Sequence, residues 1–512
     1  MSSIKKKKNE VEIISNDSKK QEKPSIERLP DSVLLQVFSF LCQRSLCKLA
    51  LVCKRWRDIA FDGSLWRDVS LGGLRHYYIR SLIGKPLGRQ LKILSLWTCT
   101  VSPENITALS KHCQQLEEFY LRRNTIKMQK MRSLRRPRFP RLLILDARDL
   151  QENAGFVMKM IRYTPSIEKL ALDSSMDGYF DSSVFENTPH LQALDCSRCL
   201  AVADKDLGVV AMSCPKLEYL TLVRCYGISG TSLPSIIRSC VRLKSLSLAY
   251  TSVTNEAFQS CNFQHSELRE LDLSHCPGVS STGVLSVVTK LKDMTYLNVN
   301  GCSYGFGVDR QILRALTCYT SLQVLDLDAL DTTQGADDDL VAITERCARL
   351  EVLRINKGIA TVNGLKQCLK NLTHLKRFGI VNFRRDYLDR GMEVEHVLNA
   401  LARCCCKLEV LELGDFRDRE NRRKIKAFTR LMRKCRALNK IAIFTDNRDM
   451  FVMAAEGRIR AKRENIRLIQ PTMMCPTPRV VTPLPTGCFD RVVYGDRFCI
   501  DHDDPWKARL YF

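Results

Sequence analysis

Cysteine, aspartate and arginine are the residue types whose number and spacing could carry chemistry in this 512-residue chain. Its 23 cysteines would suit a disulfide framework, a metal site or a thiol nucleophile, and their positions decide among these. Cys196-x-x-Cys199 has the spacing of two metal ligands, but a structural zinc site needs four, and both residues fall at expected core positions. No metal site or other cofactor is expected. The run Cys404-Cys405-Cys406 is read as turning at least one thiol to solvent, not as a nucleophile. No phosphate loop, nucleophile elbow or paired-histidine helix occurs, so the chain is not expected to be an enzyme.

Arginine gathers in three places. Arg132, Arg135, Arg136, Arg138 and Arg141 form one cluster, and Arg417, Arg419, Arg422, Arg423, Lys424 and Lys426 a second. Arg458, Arg460, Lys462 and Arg463 form the third. Such groups suit phosphate or carboxylate through bidentate contacts, although a solvated surface is their commoner meaning. Lys plus Arg is 80 against 56 for Asp plus Glu, a net +24, which favours anionic partners in general. Nucleic acid is not expected, because no aromatic-interleaved groove or reader motif accompanies the charge. The first 24 residues read as a disordered basic tail, with Lys5 to Lys8 a solvated charge run or a nuclear-import signal. They have no apolar secretory core, and no run of 18 apolar residues exists to span a membrane. The expectation is a reduced protein of the cytoplasm, the nucleus or both.

The elements that must position these residues are set by a repeat. Leu-x-x-Leu-x-Leu begins at Leu91 and returns fourteen times in all, through Leu116, Leu142, Ile167, Leu191, Leu217, Leu243, Leu268, Met294, Leu322, Leu350, Leu375 and Leu408 to Leu438. The first eight intervals are 24 to 26 residues and the rest 25 to 33. Leu-x-Leu is a short strand with one apolar face, and the remainder of each unit holds one helix and two turns. No unit can bury its apolar side alone, so units stack into a parallel sheet flanked by helices. Fourteen strands about 4.8 Å apart give an arc of roughly 65 Å. Cys113, Cys214, Cys240, Cys347, Cys405 and Cys435 each precede a repeat leucine by three residues, and Cys99, Cys199, Cys225, Cys276 and Cys302 follow one by eight. A residue type locked to the period is structural. It fills the strand-to-turn corner and serves the backbone, as Asn124 would in the second repeat.

Residues 25–70 read as three short helices, too few to bury much without a neighbour or partner. After about residue 470 come Pro471, Pro476, Pro478, Pro483 and Pro485, and then aromatic residues from Phe489 to Phe512. The segment 471–512 is expected to cap the last repeat or to fold back on the concave face.

Ile26-Glu27-Arg28-Leu29-Pro30-Asp31 through Phe38, then Leu49, Val52-Cys53-Lys54-Arg55-Trp56 and Leu65-Trp66, resemble an F-box. The array over 71–470 resembles leucine-rich repeats of the cysteine-containing subtype. Together they look like the F-box and leucine-rich-repeat family, an α/β architecture with a three-helix F-box before a horseshoe of about 14 repeats. Gln43 stands where that family often has proline. The resemblance implies the substrate-recognition subunit of an SCF ubiquitin ligase, docked on the Skp1 adaptor and through it on a cullin–RING ligase. Its repeats would hold a protein substrate near the conjugating enzyme. The alternative is a protein-interaction scaffold outside any ligase. By motif match, Leu29, Pro30, Leu34, Leu35 and Phe38 would meet the adaptor, and Trp56, Leu65 and Trp66 would brace the domain and its junction with the first strand.

Residues between and just after the strand leucines should line the concave face. Asp146, Asp173 and Asp195 form one acidic patch there, and Asp272, Asp326 and Asp328 a second. Tyr120, Tyr219, Tyr250 and Tyr296 are candidate anchors. A basic or hydrogen-bonding segment of substrate is the expected complement, and solvated aspartate is the bland reading.

Overall fold

The computed structural model describes residues 26–469 except 85, 128–135, 152–154, 174–179, 303–309, 328–335, 382–391, 415, 417–421 and 445–447. Asp328, the first 24 residues, the tail after 470 and part of the first two arginine clusters therefore lie outside the described residues. The chain divides into two compact units between Trp66 and Arg67.

In the first unit a 3-10 turn, Ile26–Arg28, precedes α1 (Asp31–Phe38), α2 (Gln43–Leu49) and α3 (Lys54–Ala60), with a second 3-10 turn at Gly63–Trp66. Pro30 sits at the N-cap of α1 and Asp31 in its first turn, where a fixed φ and a negative charge suit the free N–H groups. Gln43 opens α2, so the helix starts there without a proline. Leu34, Phe38, Leu46, Ile59 and Trp66 are buried. Phe38 meets Trp56 edge-on at 5.4 Å between ring centroids, and the Trp66 indole N–H donates to the Ala60 carbonyl at 2.7 Å. Arg55 on α3 reaches back to the start of α1, donating to Asp31 Oδ1 at 2.7 Å and to the Leu29 carbonyl.

In the second unit every expected repeat strand is present, and the register explains why. Leu94, Phe119, Leu145, Leu170, Leu194 and Leu220 pair across successive parallel strands. The same column continues through Leu246, Leu271, Leu297, Leu325, Leu353, Phe378, Leu411 and Ile441. Most of these side chains are 0–2 % exposed, and each gains about 1.5–3 kcal/mol from burial that only the next unit can provide. Parallel neighbours require a crossover, here usually a helix such as Asp204–Ser213 or Val394–Cys404. Where the interval is shortest, between Ile167 and Leu191, the crossover shrinks to the 3-10 turn Ser182–Asn187. Among the described residues the sheet has sixteen strands. Asp68–Gly72 and Arg467–Ile469 add one at each end, setting Val69 and Leu468 in the leucine column. Neither carries the full leucine spacing, because an end strand has only one neighbour to match.

The periodic cysteines bond each unit to the one before. At the strand-to-turn corner, the thiols of Cys199, Cys225, Cys276 and Cys302 donate to the carbonyls of Asp173, Cys196, Leu248 and Leu273 at 2.9 to 3.2 Å. Asn124 takes this position in its repeat, donating to the Leu96 carbonyl and accepting the Cys99 N–H. Before the strands, Cys240, Cys347 and Cys435 donate to the carbonyls of Cys214, Tyr319 and Cys405 at 3.2 to 3.6 Å. The residue preceding the corner cysteine takes a left-handed conformation in several repeats, at Arg198, Arg224, His275 and Gly301. Burial pushes the Cys113, Cys240 and Cys276 thiols up to about 12, so they stay protonated and unreactive at neutral pH. Alkylation of the native protein at neutral pH should therefore modify exposed Cys42, Cys53, Cys318 and Cys406 and spare both ladders until denaturant is added. Mass mapping of native alkylation within the ladders would contradict this packing.

Candidate functional site

Two surfaces are candidates. The first is the outer side of the helical unit. Leu34 and Phe38, expected to meet an adaptor, are instead 0 % and 1 % exposed. Their i, i+4 spacing turns them inward, Phe38 against Trp56 on α3. Leu29 and Leu35 are half-buried and Pro30 is exposed. Trp56 and Leu65 are half-buried and Trp66 is buried. What α1 and the turn after it show to solvent is a second stripe: Val33, Val37 and Leu41 are 39 %, 42 % and 37 % exposed. Phe40 beside it and Leu51 and Val52 between α2 and α3 are 84 %, 80 % and 62 % exposed. A helix apolar on both sides was the available signal: one stripe builds the core and the other is left over.

The second surface is the concave side of the sheet. The register sets Asp146, Ala171, Asp195 and Thr221 in one column. Ser247, Asp272, Asn298, Asp326, Arg354, Gly379 and Glu412 extend it. The acids of this column are largely neutralised from within. Arg148 grips Asp146 with Nε at 2.8 Å and Nη2 at 2.6 Å and reaches Asp195 at 3.4 Å. Arg122 lies 3.6 Å from Asp146. Asp173 accepts the Asp149 N–H at 2.6 Å, and Asp195 accepts the Ser197 N–H and hydroxyl. The expected patch of Asp146, Asp173 and Asp195 is thus an internal ion-pair and turn network, not a free acidic surface. Farther along, Arg354 joins Asp326 at 2.7 Å to Glu412 at 2.6 Å.

Asp272 differs. It accepts the Ser274 N–H at 3.0 Å. Burial, with Asp326 across the column adding to it, pushes its carboxyl from 3.8 up to about 6. Tyr296 is fully buried, and Tyr120 and Tyr219 are half-buried on their strands. The Tyr120 hydroxyl donates to Glu118 at 2.7 Å. Tyr250 lies past its strand, in a left-handed turn position, stacked on His275 at 4.4 Å, with the Arg224 guanidinium 5.0 Å from its ring centroid. Arg122, Arg148, Arg224 and Arg354 are the residues that reading the acids alone overlooks.

Of the basic clusters, Arg422, Arg423 and Lys426 lie exposed on the helix Arg422–Lys434, whose Ile425, Phe428 and Leu431 are buried. Arg463 is structural, donating to the carbonyls of Met432, Arg436 and Leu438 at 2.9 to 3.0 Å where the preceding helix ends. Among the described residues no group of three His, Cys, Asp or Glu could hold a metal ion, and no helix is long and apolar enough to cross a membrane.

Arg354→Met should destabilise the protein by about 3–5 kcal/mol by stranding two buried carboxylates, and adding Asp326→Asn with Glu412→Gln should recover most of that loss in denaturant titrations. The folded state holds a proton on Asp272 between 3.8 and about 6 that the unfolded chain releases, so this residue's contribution improves as pH falls through that window and is least favourable above it. Asp272→Asn should therefore raise the denaturation midpoint near neutral pH, with the gain shrinking on acidification; a gain that grows instead would contradict the assignment.

Comparisons with known proteins found a family model and similar solved structures. The family model described as F-box-like matches residues 26–72. Among solved structures, the complex of Rad7 and Elc1 in yeast contains a chain 15 % identical, with a TM-score of 0.44, over 81 % of this chain and 89 % of that one. A TLR13–ssRNA13 complex contains another at 15 % identity and a TM-score of 0.37, over 71 % of this chain and 58 % of that one. The chain thus carries an F-box-like helical segment over residues 26–72, followed by the repeats whose described strands form one parallel sheet.

Proposed function

We propose that this chain is a non-catalytic receptor subunit of an SCF ubiquitin ligase, binding the Skp1 adaptor through its helical unit and a protein substrate through its repeats. One observation carries the reading: a small domain that matches the F-box-like model leaves Val33, Val37, Phe40, Leu51 and Val52 in solvent. An exposed apolar set on so small a unit is what a partner interface requires. Leu29, Pro30 and Leu35 border that set, whereas Leu34 and Phe38 support it from beneath. The two thiol ladders favour the cysteine-containing subtype of repeat, and a ligase receptor of this kind belongs in the cytoplasm or nucleus.

The role of the receptor in this scheme is proximity: it raises the local concentration of substrate lysines at the conjugating enzyme. On the concave face, Asp272 and the Asp326–Arg354–Glu412 group offer a modest acidic excess to a basic segment of substrate, with Tyr120 and Tyr219 as half-buried anchors. Co-purification with Skp1 and cullin tests the assembly. Wild type should retain both, and Val37→Glu with Leu51→Glu should lose both while the repeats keep their thermal transition. A well-folded wild-type chain that retains neither would overturn the reading.

A further inference from the structure

Each strand leaves the sheet through a corner. In five successive repeats the equivalent corner residue is left-handed: Arg198 at φ 66°, Arg224 at 63°, Tyr250 and His275 at 58°, and Gly301 at 70°. The corners stack as the strands do, since the N–H groups of Arg198, Arg224, Tyr250 and His275 donate to the carbonyls of Val223, Ala249, Ser274 and Asn300 at 2.6 to 2.8 Å. Neighbouring corners therefore stand about 4.8 Å apart. A left-handed backbone costs free energy that glycine avoids, and Gly301 shows that glycine meets this geometry. Arginine, tyrosine and histidine at the other corners point to a use for their side chains. The Tyr250 and His275 rings stack at 4.4 Å, and a Cβ at Gly301 would come within 2.5 Å of the His275 Nδ1. The Arg224 guanidinium lies 5.0 Å from the Tyr250 centroid, which holds its plane. Its Nε is enclosed without a hydrogen-bond partner, and among the described residues no carboxylate pairs with it, whereas Arg148 and Arg354 are locked to acids. The corner segments 196–203, 222–232, 248–254 and 273–282 contain no Asp or Glu. Asp204, just after the first of them, is occupied by Ser229, Gly230 and Ser232.

We propose that this rim of corners binds a phosphate monoester carried on a protein segment, with Arg224 as its main ligand and Arg198, one corner away, as its second. A guanidinium held in plane with no carboxylate of its own offers paired N–H groups to an oxyanion. Two of them at this spacing match the charge of a phosphate dianion better than that of a single carboxylate. A nucleic acid would need open ring faces for its bases, and here Tyr250 and His275 are stacked on each other. Leu200 and Tyr226, each two residues after one of the arginines, are exposed and offer apolar contact to the residues on either side of the phosphorylated one. A free phosphate could make no use of them. That the segment belongs to the receptor's substrate rests on the receptor reading, but the phosphate site does not.

Fluorescence anisotropy of the full chain, without adaptor, tests the site with a dye-labelled peptide that carries phosphoserine between leucines. Wild type should bind it on the order of tenfold or more tighter than the same peptide with serine. Arg224→Lys keeps the charge but loses the planar fork, and it should weaken the phosphopeptide by a similar factor, as should Arg198→Gln, with the thermal transition unchanged. Arg422→Gln with Arg423→Gln removes two exposed charges elsewhere and should leave binding as it is. Equal affinity of folded wild type for the two peptides, or an equal loss in the Arg422 and Arg423 variant, would overturn the proposal. Inorganic phosphate or a single-stranded oligonucleotide that displaces the phosphopeptide at equal concentration would also overturn it, by making the ligand a free phosphate or a nucleic acid. Failure here with Skp1 still retained would strike the phosphate site and leave the adaptor reading standing.

Discussion

Everything in the larger unit depends on the fact that a strand of three to five residues cannot bury its leucines alone. A side chain such as Leu297 is enclosed only when Leu271 and Leu325 stand beside it, so position along the array is fixed by neighbours and not by distant contacts. This requirement sets the parallel register, places the crossovers on one side and leaves the opposite side as a continuous column of non-leucine residues. The thiol ladders follow from the same arrangement: a corner with room for one small group and an unpaired carbonyl from the preceding unit is satisfied by Cys302 or Asn124 at small cost in volume. Because coupling runs between neighbours, damage to one unit weakens the two that flank it first.

The helical unit meets the opposite constraint. It has too few residues to enclose its own apolar groups, and α1 divides them between two sides. Leu34 and Phe38 complete the interior with Trp56, while Val33 and Val37 remain in water. The division is a physical statement about function: the cost of leaving these groups in solvent is offset only when another surface covers them. The concave column has its own tension between charge and burial. Arg148 and Arg354 convert acids that would be expensive to bury into paired groups. Asp272, with the Ser274 N–H in place of a guanidinium, answers by holding its proton more tightly.

Periodicity made the repeat strands legible because leucine spacing reports directly on what must be buried. The cysteines were legible as structural for the same reason, since a period of about one repeat cannot arise from a single metal or catalytic site. The end strands were not, because Val69 and Leu468 need to satisfy only one neighbour. Motif resemblance located the helical unit but could not sort its apolar residues into inner and outer, since Leu34 and Val33 differ by one step of about 100° around α1 and not by composition. The pairing of Asp146 with Arg148, two residues apart, escapes a reading by columns. It depends on the side chains of one strand and its following turn folding toward each other, and Asp195 joins them from 47 positions away.

The central claim is that the outer stripe of the first unit is an interface. Hydrogen exchange of the full chain with and without purified Skp1 measures this most directly. Slowed exchange is predicted across α1 and the α2–α3 connection around Leu51 and Val52, with the repeat strands unchanged. Unchanged exchange in the helical unit at saturating adaptor, or protection confined to the repeats, would contradict it.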